Sequence, residues 1–394
     1  MLSGKFERSH ELDKTPGGAD FGPGLGQRIA FRKPPPGDST MRFGIFWPYS
    51  DTFQPSALLV ERNPDVMDIG NHLALAQATE EAGFDVILIA DGFTTLSDRA
   101  VDIRFQDPST NAVTLAPPLI MATSRIGIVS TIHTTYMHPV QIARYGAQLD
   151  ALSGGRWGWN IVAGHRMKEA LLFGFSDLPG HDLRYEIADE CVRLIREIWE
   201  SPKGVDHQGK HFTVKGRLRG PYPQGRPLLV SAASSGRGHD FAIEHCDYLF
   251  ATVASAQGIV EIRRDLEQRA ADAKKPMPPL LTTAIVLVRD APGEAEREYA
   301  EIMDSVDAEV FGMLGESRSK IIQGGKMADF PIFLGTAEQV AQQIIDLHRE
   351  TGLTGLMFRL PYWTPEEVSR LKPVLARLEQ AGVWIDPANR NYSW

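Results

Sequence analysis

A few short stretches of this chain concentrate side chains that can bind a ligand or move a proton. Ala232-Ala233-Ser234-Ser235-Gly236-Arg237-Gly238 carries the plainest physical signal. Its small residues let a ligand approach the backbone, and a helical pattern begins directly after it. The N–H groups of a helix start and the hydroxyls of Ser234 and Ser235 can all donate to a phosphate, with Gly236 keeping the turn open. The same residues also read as a serine cap on a glycine turn, and they match neither a Walker loop nor GxGxxG. Upstream, His181-Asp182-Leu183-Arg184-Tyr185 sets His181 and Tyr185 four apart, hence on one face of a helix. Arg184 adds a permanent cation suited to a phosphate. Clusters of this kind are also common on surface helices.

Other stretches suit chemistry at a strand end. The apolar run ending Thr131-Ile132 continues as His133-Thr134-Thr135-Tyr136-Met137-His138-Pro139, dense in hydroxyls and imidazoles. His133, His138 or the later His165 can serve as general acid or base, while the others pack or cap. No carboxylate adjoins them, so no triad is readable. Asn160 stands inside an apolar run, where an amide is costly unless satisfied, which favours contact with a ligand over a structural role. Glu169 follows shortly after and, taken alone, reads as a solvated surface residue. Asp91-Gly92-Phe93 follows another apolar run. It reads either as a hydrogen-bond acceptor aimed at a ligand or as a turn-starting pair.

The bulk properties exclude several classes. The net charge is -9, the opposite of a nucleic-acid binder's basic excess. Neither Cys191 nor Cys246 belongs to a CxxC or Cys/His cluster, so both read as reduced, buried thiols. HExxH and paired strand-end histidines are missing, which argues against a metal. No apolar run approaches the ~18 residues of a spanning helix, and no signal-peptide core is visible, so a cytoplasmic location is expected.

These residues need a scaffold, and the apolar pattern supplies one. Continuous apolar runs at 42–47, 86–90, 126–132, 158–163, 228–232, 248–252, 282–288 and 356–360 alternate with helical segments. Runs without polar alternation predict parallel strands covered on both faces. Repetition of this unit predicts an α/β fold, a (β/α)8 TIM barrel. Ile69, Leu73 and Ala76 predict a helix face ending at Gly83. Thr336-x-x-Gln339 and Thr364-Pro365-x-Glu367 predict capping boxes. Residues 1–40, rich in Gly and Pro, read as an extended arm, 41–385 as one barrel, and 386–394 as a tail. Insertions at 202–226, a hairpin and loop, and at 303–335, a lid, interrupt the alternation. Phe93, Phe105, Trp157 and His165 are candidates to shape a pocket.

The segment from Leu152-Ser153-Gly154-Gly155-Arg156-Trp157 to Asn160-Ile161-Val162 resembles the "SGGR…N(I/V)V" signature of the bacterial-luciferase-like superfamily of flavin-dependent oxidoreductases. Gly180-His181 to Arg184-Tyr185 resembles its "H…RY" segment. The likeness runs from Met41 to about residue 380 and is greatest to the two-component monooxygenases of pyrimidines, dimethyl sulfone, dibenzothiophene sulfone and nitrilotriacetate. It implies that Asp91, Gly92 and Glu169 line a flavin ring. It implies that Thr131 and Asn160 flank the reactive edge where O2 is captured. It implies that His181, Arg184, Tyr185 and Ser235 hold the ribityl chain and phosphate. The implied cofactor is FMN as FMNH2, with O2 as co-substrate, and NAD(P)H is used only by a separate flavin reductase. The implied activity is oxygenation of a small organic substrate, with cleavage of a carbon–heteroatom bond as one outcome, in a homodimer or homotetramer. A deazaflavin-dependent hydride-transfer enzyme and a non-catalytic flavin-binding protein are the alternatives on this fold. His165 stands where the pyrimidine enzyme has Trp, and the loop 93–111 differs from it, which counts against pyrimidine as substrate.

Overall fold

The computed structural model describes residues 38–390 except 224, 254 and 320–330. Most of the expected arm, the middle of the 303–335 insertion and residues 391–394 of the tail therefore lie outside the described residues. All eight apolar runs form parallel strands: β1 Arg42–Trp47, β2 Val86–Ile89, β3 Gly127–His133, β4 Trp157–Val162, β5 Leu228–Ala232, β6 Tyr248–Phe250, β7 Leu280–Val288 and β8 Gly355–Arg359. The order β7-β8-β1-β2-β3-β4-β5-β6, with β6 paired back onto β7, closes the barrel. A further strand, Ile332–Gly335, lies parallel against the distal half of β7, outside the closed ring. Val205–Gln208 and Thr213–Gly216 form a separate antiparallel hairpin.

Strand residues alternate between two faces. Phe46, Leu88, Val129, Val230, Phe250, Leu281 and Met357 fill the lumen as one apolar cluster. Their neighbours along the chain, among them Ile45, Ile87, Ile128, Trp159 and Leu229, pack outward against the helices. The same alternation sends Thr131, two beyond Val129, and Arg359, two beyond Met357, into the upper lumen. Asn160 pairs in register with both Thr131 and Val230, so it shares their face. Trp157 points the other way: its Nε1 donates to Ser130 Oγ at 3.2 Å behind the sheet. It is therefore a core residue and does not shape a lumenal pocket. Phe105 is fully buried beside Val310 and Leu314.

Two local expectations need correction. The helix Ile69–Glu81 forms, but its buried side is His72, Leu75, Ala76 and Thr79, with Ile69 exposed. His72 fixes that rotation, because its ring accepts from Trp47 Nε1 at 3.0 Å and bonds the Val66 carbonyl. Thr336 and Gln339 make the reciprocal capping box. Thr364 caps its helix through Glu367 N, but the Glu367 carboxylate accepts from Arg289 Nη1 at 2.9 Å instead of turning back to the cap.

The Ser153-Gly154-Gly155-Arg156 turn sets the height of β4. Gly154 and Gly155 take φ +65° and +91°, which ends the helix Pro139–Ser153 in a conformation that side-chain-bearing residues rarely adopt. Arg156 is buried and spreads its guanidinium over the end of the helix Ala112–Ala122 and the turn that leads into β3. It donates to the carbonyls of Ile120, Thr123, Ile126 and Ser153 and to Thr123 Oγ1, at 2.8–3.1 Å. Burial lowers its pKa, and Glu80 partly offsets this. Only a planar, multi-donor cation satisfies that set of carbonyls. Arg156→Lys is therefore expected to destabilise the fold by about 2–4 kcal/mol, through carbonyls left unpaired. Urea unfolding of the two proteins checks this, and equal midpoints would contradict it.

Candidate active site

The carboxyl ends of the strands gather the polar residues that a lumen of apolar side chains excludes. At the tip of β5, Ser235 caps the helix Gly236–His245, and its Oγ accepts from Gly238 N at 3.1 Å. His181, at the start of the helix His181–Glu200, brings Nε2 to 3.0 Å from the same Oγ. Its Nδ1 pairs with Asp182 at 2.9 Å. Tyr185 lies one turn on, with its ring 5.1 Å from that of His181. Burial pushes the Tyr185 phenol up, and its hydrogen bond to Ser235 works in the other direction. A Cβ at position 238 would stand 2.5 Å from both Ala233 Cβ and Tyr185 Oη, so that place requires glycine, whereas one at position 236 would meet only the mobile end of Arg269. Ser234 is exposed beside them. Arg184 is buried, donates from Nη1 to the Pro179 carbonyl, and leaves Nε buried without a partner.

At the tips of β3 and β4, Asn160 Nδ2 donates to Thr131 Oγ1 at 2.9 Å, and both residues are buried. That bond fixes the amide with Oδ1 buried and unpartnered, and leaves the Thr131 hydroxyl its own proton to donate. His133 is also buried, and its Nδ1 has no partner. Burial, then the neighbouring His165 and Arg166, push its pKa down to about 4, so the imidazole is neutral at pH 7. The His133 ring sits 5.2 Å from that of Phe93. The Tyr136 ring stacks on Phe173 at 4.6 Å, and Tyr136 Oη is another buried atom without a partner.

The β2 tip meets this group through a carboxylate. Glu169 is 1% exposed, far from the solvated residue its sequence context suggests. Its Oε1 accepts from Phe93 N at 3.1 Å, while Oε2 is buried with no partner. Gly92 lies directly against it, since a Cβ there would come 3.4 Å from Oε1. Asp91 instead clamps both ends of the 93–111 loop. It accepts from Gly92 N at 2.9 Å, from Asn111 Nδ2 at 2.6 Å and from Ala112 N at 3.3 Å. Burial, reinforced by Glu169, raises Asp91 to about 6 against the pull of those backbone bonds.

Of the three histidines open to an acid–base role, His138 is taken by structure. It caps the helix Pro139–Ser153, with Nδ1 accepting from Val140 N at 3.3 Å. His165 lies at the exposed rim, held below the usual imidazole value by its packed surroundings and then by Arg166 and Arg184. Arg184 joins the two halves of the site, because its charge acts on Tyr136 and His165 while it adjoins Tyr185. Among the described residues no group of His, Cys, Asp and Glu is arranged to hold a metal ion. Sequence reasoning missed Tyr136, Arg166 and Phe173. Tyr136 was within reach, since it sits in the dense 131–139 stretch. Phe173 matters only through its stacking on Tyr136, for which no sequence pattern exists.

The model of the luciferase-like monooxygenase family matches residues 41–355. N-acetyl-S-(2-succino)cysteine monooxygenase of Bacillus subtilis is 28% identical over 62% of this chain. Nitrilotriacetate monooxygenase component A of Aminobacter aminovorans is 28% identical over 73% of it. The chain spans 61% of the first relative's length, under two thirds, and 72% of the second's. The crystal structure of riboflavin lyase with modified FMN and substrate riboflavin has the same fold. Its TM-score is 0.78, over 90% of this chain and 94% of that one, at 23% identity. No helix among the described residues is long and apolar enough to cross a membrane. The match over residues 41–355, on a closed barrel whose polar residues crowd the strand tips, makes this chain a member of the luciferase-like monooxygenase family.

Proposed function

We propose that this chain is a monooxygenase that receives reduced FMN from a separate NAD(P)H-dependent reductase and uses O2 to oxygenate a small organic molecule. The observation carrying this reading is a set of buried atoms without partners around one rim: Asn160 Oδ1, Glu169 Oε2, His133 Nδ1, Tyr136 Oη and Arg184 Nε. Each costs about 1–3 kcal/mol if left unmade, so such a set calls for a large polar ligand. A flavin fits this donor and acceptor set. Its ring has hydrogen-bonding edges for Glu169, Gly92 and Asn160, and its phosphate suits the helix start at Ser234, Ser235 and Gly236 with His181, Arg184 and Tyr185. A relative named as component A supports the separate reductase.

When bound, reduced flavin supplies the electrons that place one oxygen atom of O2 on the substrate and leave the other as water. The residues provide geometry and proton handling. Asn160 holds the Thr131 hydroxyl in place, so its proton is offered in a fixed direction inside the lumen. Neutral His133 can accept a proton at Nδ1 within that buried setting, and His165 can exchange one with solvent at the rim. The Phe93, Tyr136 and Phe173 rings exclude water from the same corner.

Two substitutions test these assignments. Ser235→Ala is expected to weaken binding of reduced FMN by about 1–3 kcal/mol, through loss of a donor to a charged phosphate. Anaerobic titration measures this, and unchanged affinity contradicts the phosphate assignment. Thr131→Val is expected to keep reduced-FMN affinity while lowering substrate-coupled O2 consumption at least tenfold. Coupled turnover at the parental rate would remove Thr131 from the mechanism. The parent protein is assayed with enzymatically reduced FMN against sulfones, N-heterocycles and aminopolycarboxylates. Turnover without O2, using a reduced deazaflavin, would favour hydride transfer instead.

A further inference from the structure

Across the mouth from Thr131 and Asn160 lies a cavity of about 230 Å3 that none of these residues touches. β7 and β8 stand opposite β3 and β4 in the ring, and Ile285 and Arg359 at their upper ends border this space. Ile285 is four residues beyond the lumenal Leu281, and Arg359 two beyond Met357, so both project inward. The cavity therefore borders the same lumen. Its other walls include Phe53 and Leu59 from the segment after β1, Met303 from the helix after β7, Phe311 and Leu314 from the 303–335 insertion, and Ile332 of the strand outside the closed ring.

The chemistry of the lining is almost entirely carbon. Its few polar side chains are already engaged. Gln54 Nε2 donates to Tyr299 Oη at 3.0 Å. The Arg359 guanidinium lies over the Phe46 ring at 4.1 Å and near the Phe53 ring at 5.5 Å, presenting its face to carbon. A cavity of this kind holds water poorly and takes apolar ligands well. At roughly 30 Å3 per water-sized group, it has room for about six to eight heavy atoms. That is below the roughly 300–1,000 Å3 of a complete small-molecule site, so it accommodates part of a molecule.

We infer that this cavity is the subsite for an apolar segment of the substrate, a short alkyl chain or a single ring, whose reacting end extends across the lumen toward Thr131 and Asn160. The inference rests on the proposed flavin-dependent oxygenation for the identity of the reacting end. The subsite itself rests only on the cavity. A substrate of this class pairs an apolar tail with an oxidisable group a few atoms away, unlike an aminopolycarboxylate, which has no apolar tail to bury.

Titration calorimetry of the full chain with 1-butanol through 1-decanol tests the subsite without turnover, with iminodiacetate as the polar control. Affinity is expected to rise about fourfold per added methylene and to level off near six to eight carbons. Met303→Trp, which fills the cavity, is expected to weaken 1-octanol binding at least tenfold. Phe311→Ala, which enlarges it, should move the plateau to longer alcohols. Reduced-FMN affinity, measured in parallel, should be unchanged in both variants. A flat alcohol series, tighter binding of iminodiacetate, or indifference to both substitutions would overturn the subsite and leave the flavin proposal standing. The expected alcohol series in a chain that fails to bind reduced FMN would retain the subsite and overturn the flavin proposal.

Discussion

The short contact between Tyr248–Phe250 and Leu280–Val288 closes the sheet on itself, and the rest of the molecule depends on that closure. An open sheet would have two faces and two edges; a closed one has an inside and an outside. Alternation along each strand then sorts the residues, sending Phe46, Val129 and Phe250 inward and Ile45, Ile128 and Leu249 outward. With most of the lumen packed by apolar side chains, the upper rim is where inward polar groups can meet a ligand. Thr131 and Asn160 are there because they fall on inward positions at the ends of their strands.

The architecture was legible in the sequence because both faces of each strand are buried, and eight continuous apolar runs record that directly. Helix rotation was less legible. Ile69 and Leu73 looked like part of a buried face, whereas His72, a polar residue, is the one buried, because Trp47 and Val66 both bond its ring. Glu367 had the spacing of a capping box, and Arg289, distant in sequence, captured it. Such outcomes depend on partners that no local pattern contains.

The candidate site divides in the same way. The helix start at Ser235 was readable because a cap with small residues is a local feature. Glu169 and Tyr136 owe their importance to burial, which a window of sequence does not reveal. Family signatures also mix roles: Arg156 belongs to the segment that most resembles the superfamily, yet its guanidinium is spent entirely on carbonyls and a hydroxyl of neighbouring turns. Asp91 similarly fastens a loop at both ends. Sequence likeness at a strand tip therefore reports the need to hold the tip still as readily as the need to touch a ligand.

The mouth of the barrel is built from two separate tracts of the chain. Residues 91–238 supply the polar rim, while the apolar cavity draws on 53–59 and 285–361. The tracts meet where Ala100 and Phe105 of the 93–111 loop pack on Val310 and Leu314. Side-chain exchange at Tyr299 or Met303 would reshape the apolar wall, whereas change at Val310 or Leu314 would also reach the loop that Asp91 clamps. A scaffold divided in this way can vary the apolar wall of its mouth by local change while most of the polar rim is kept.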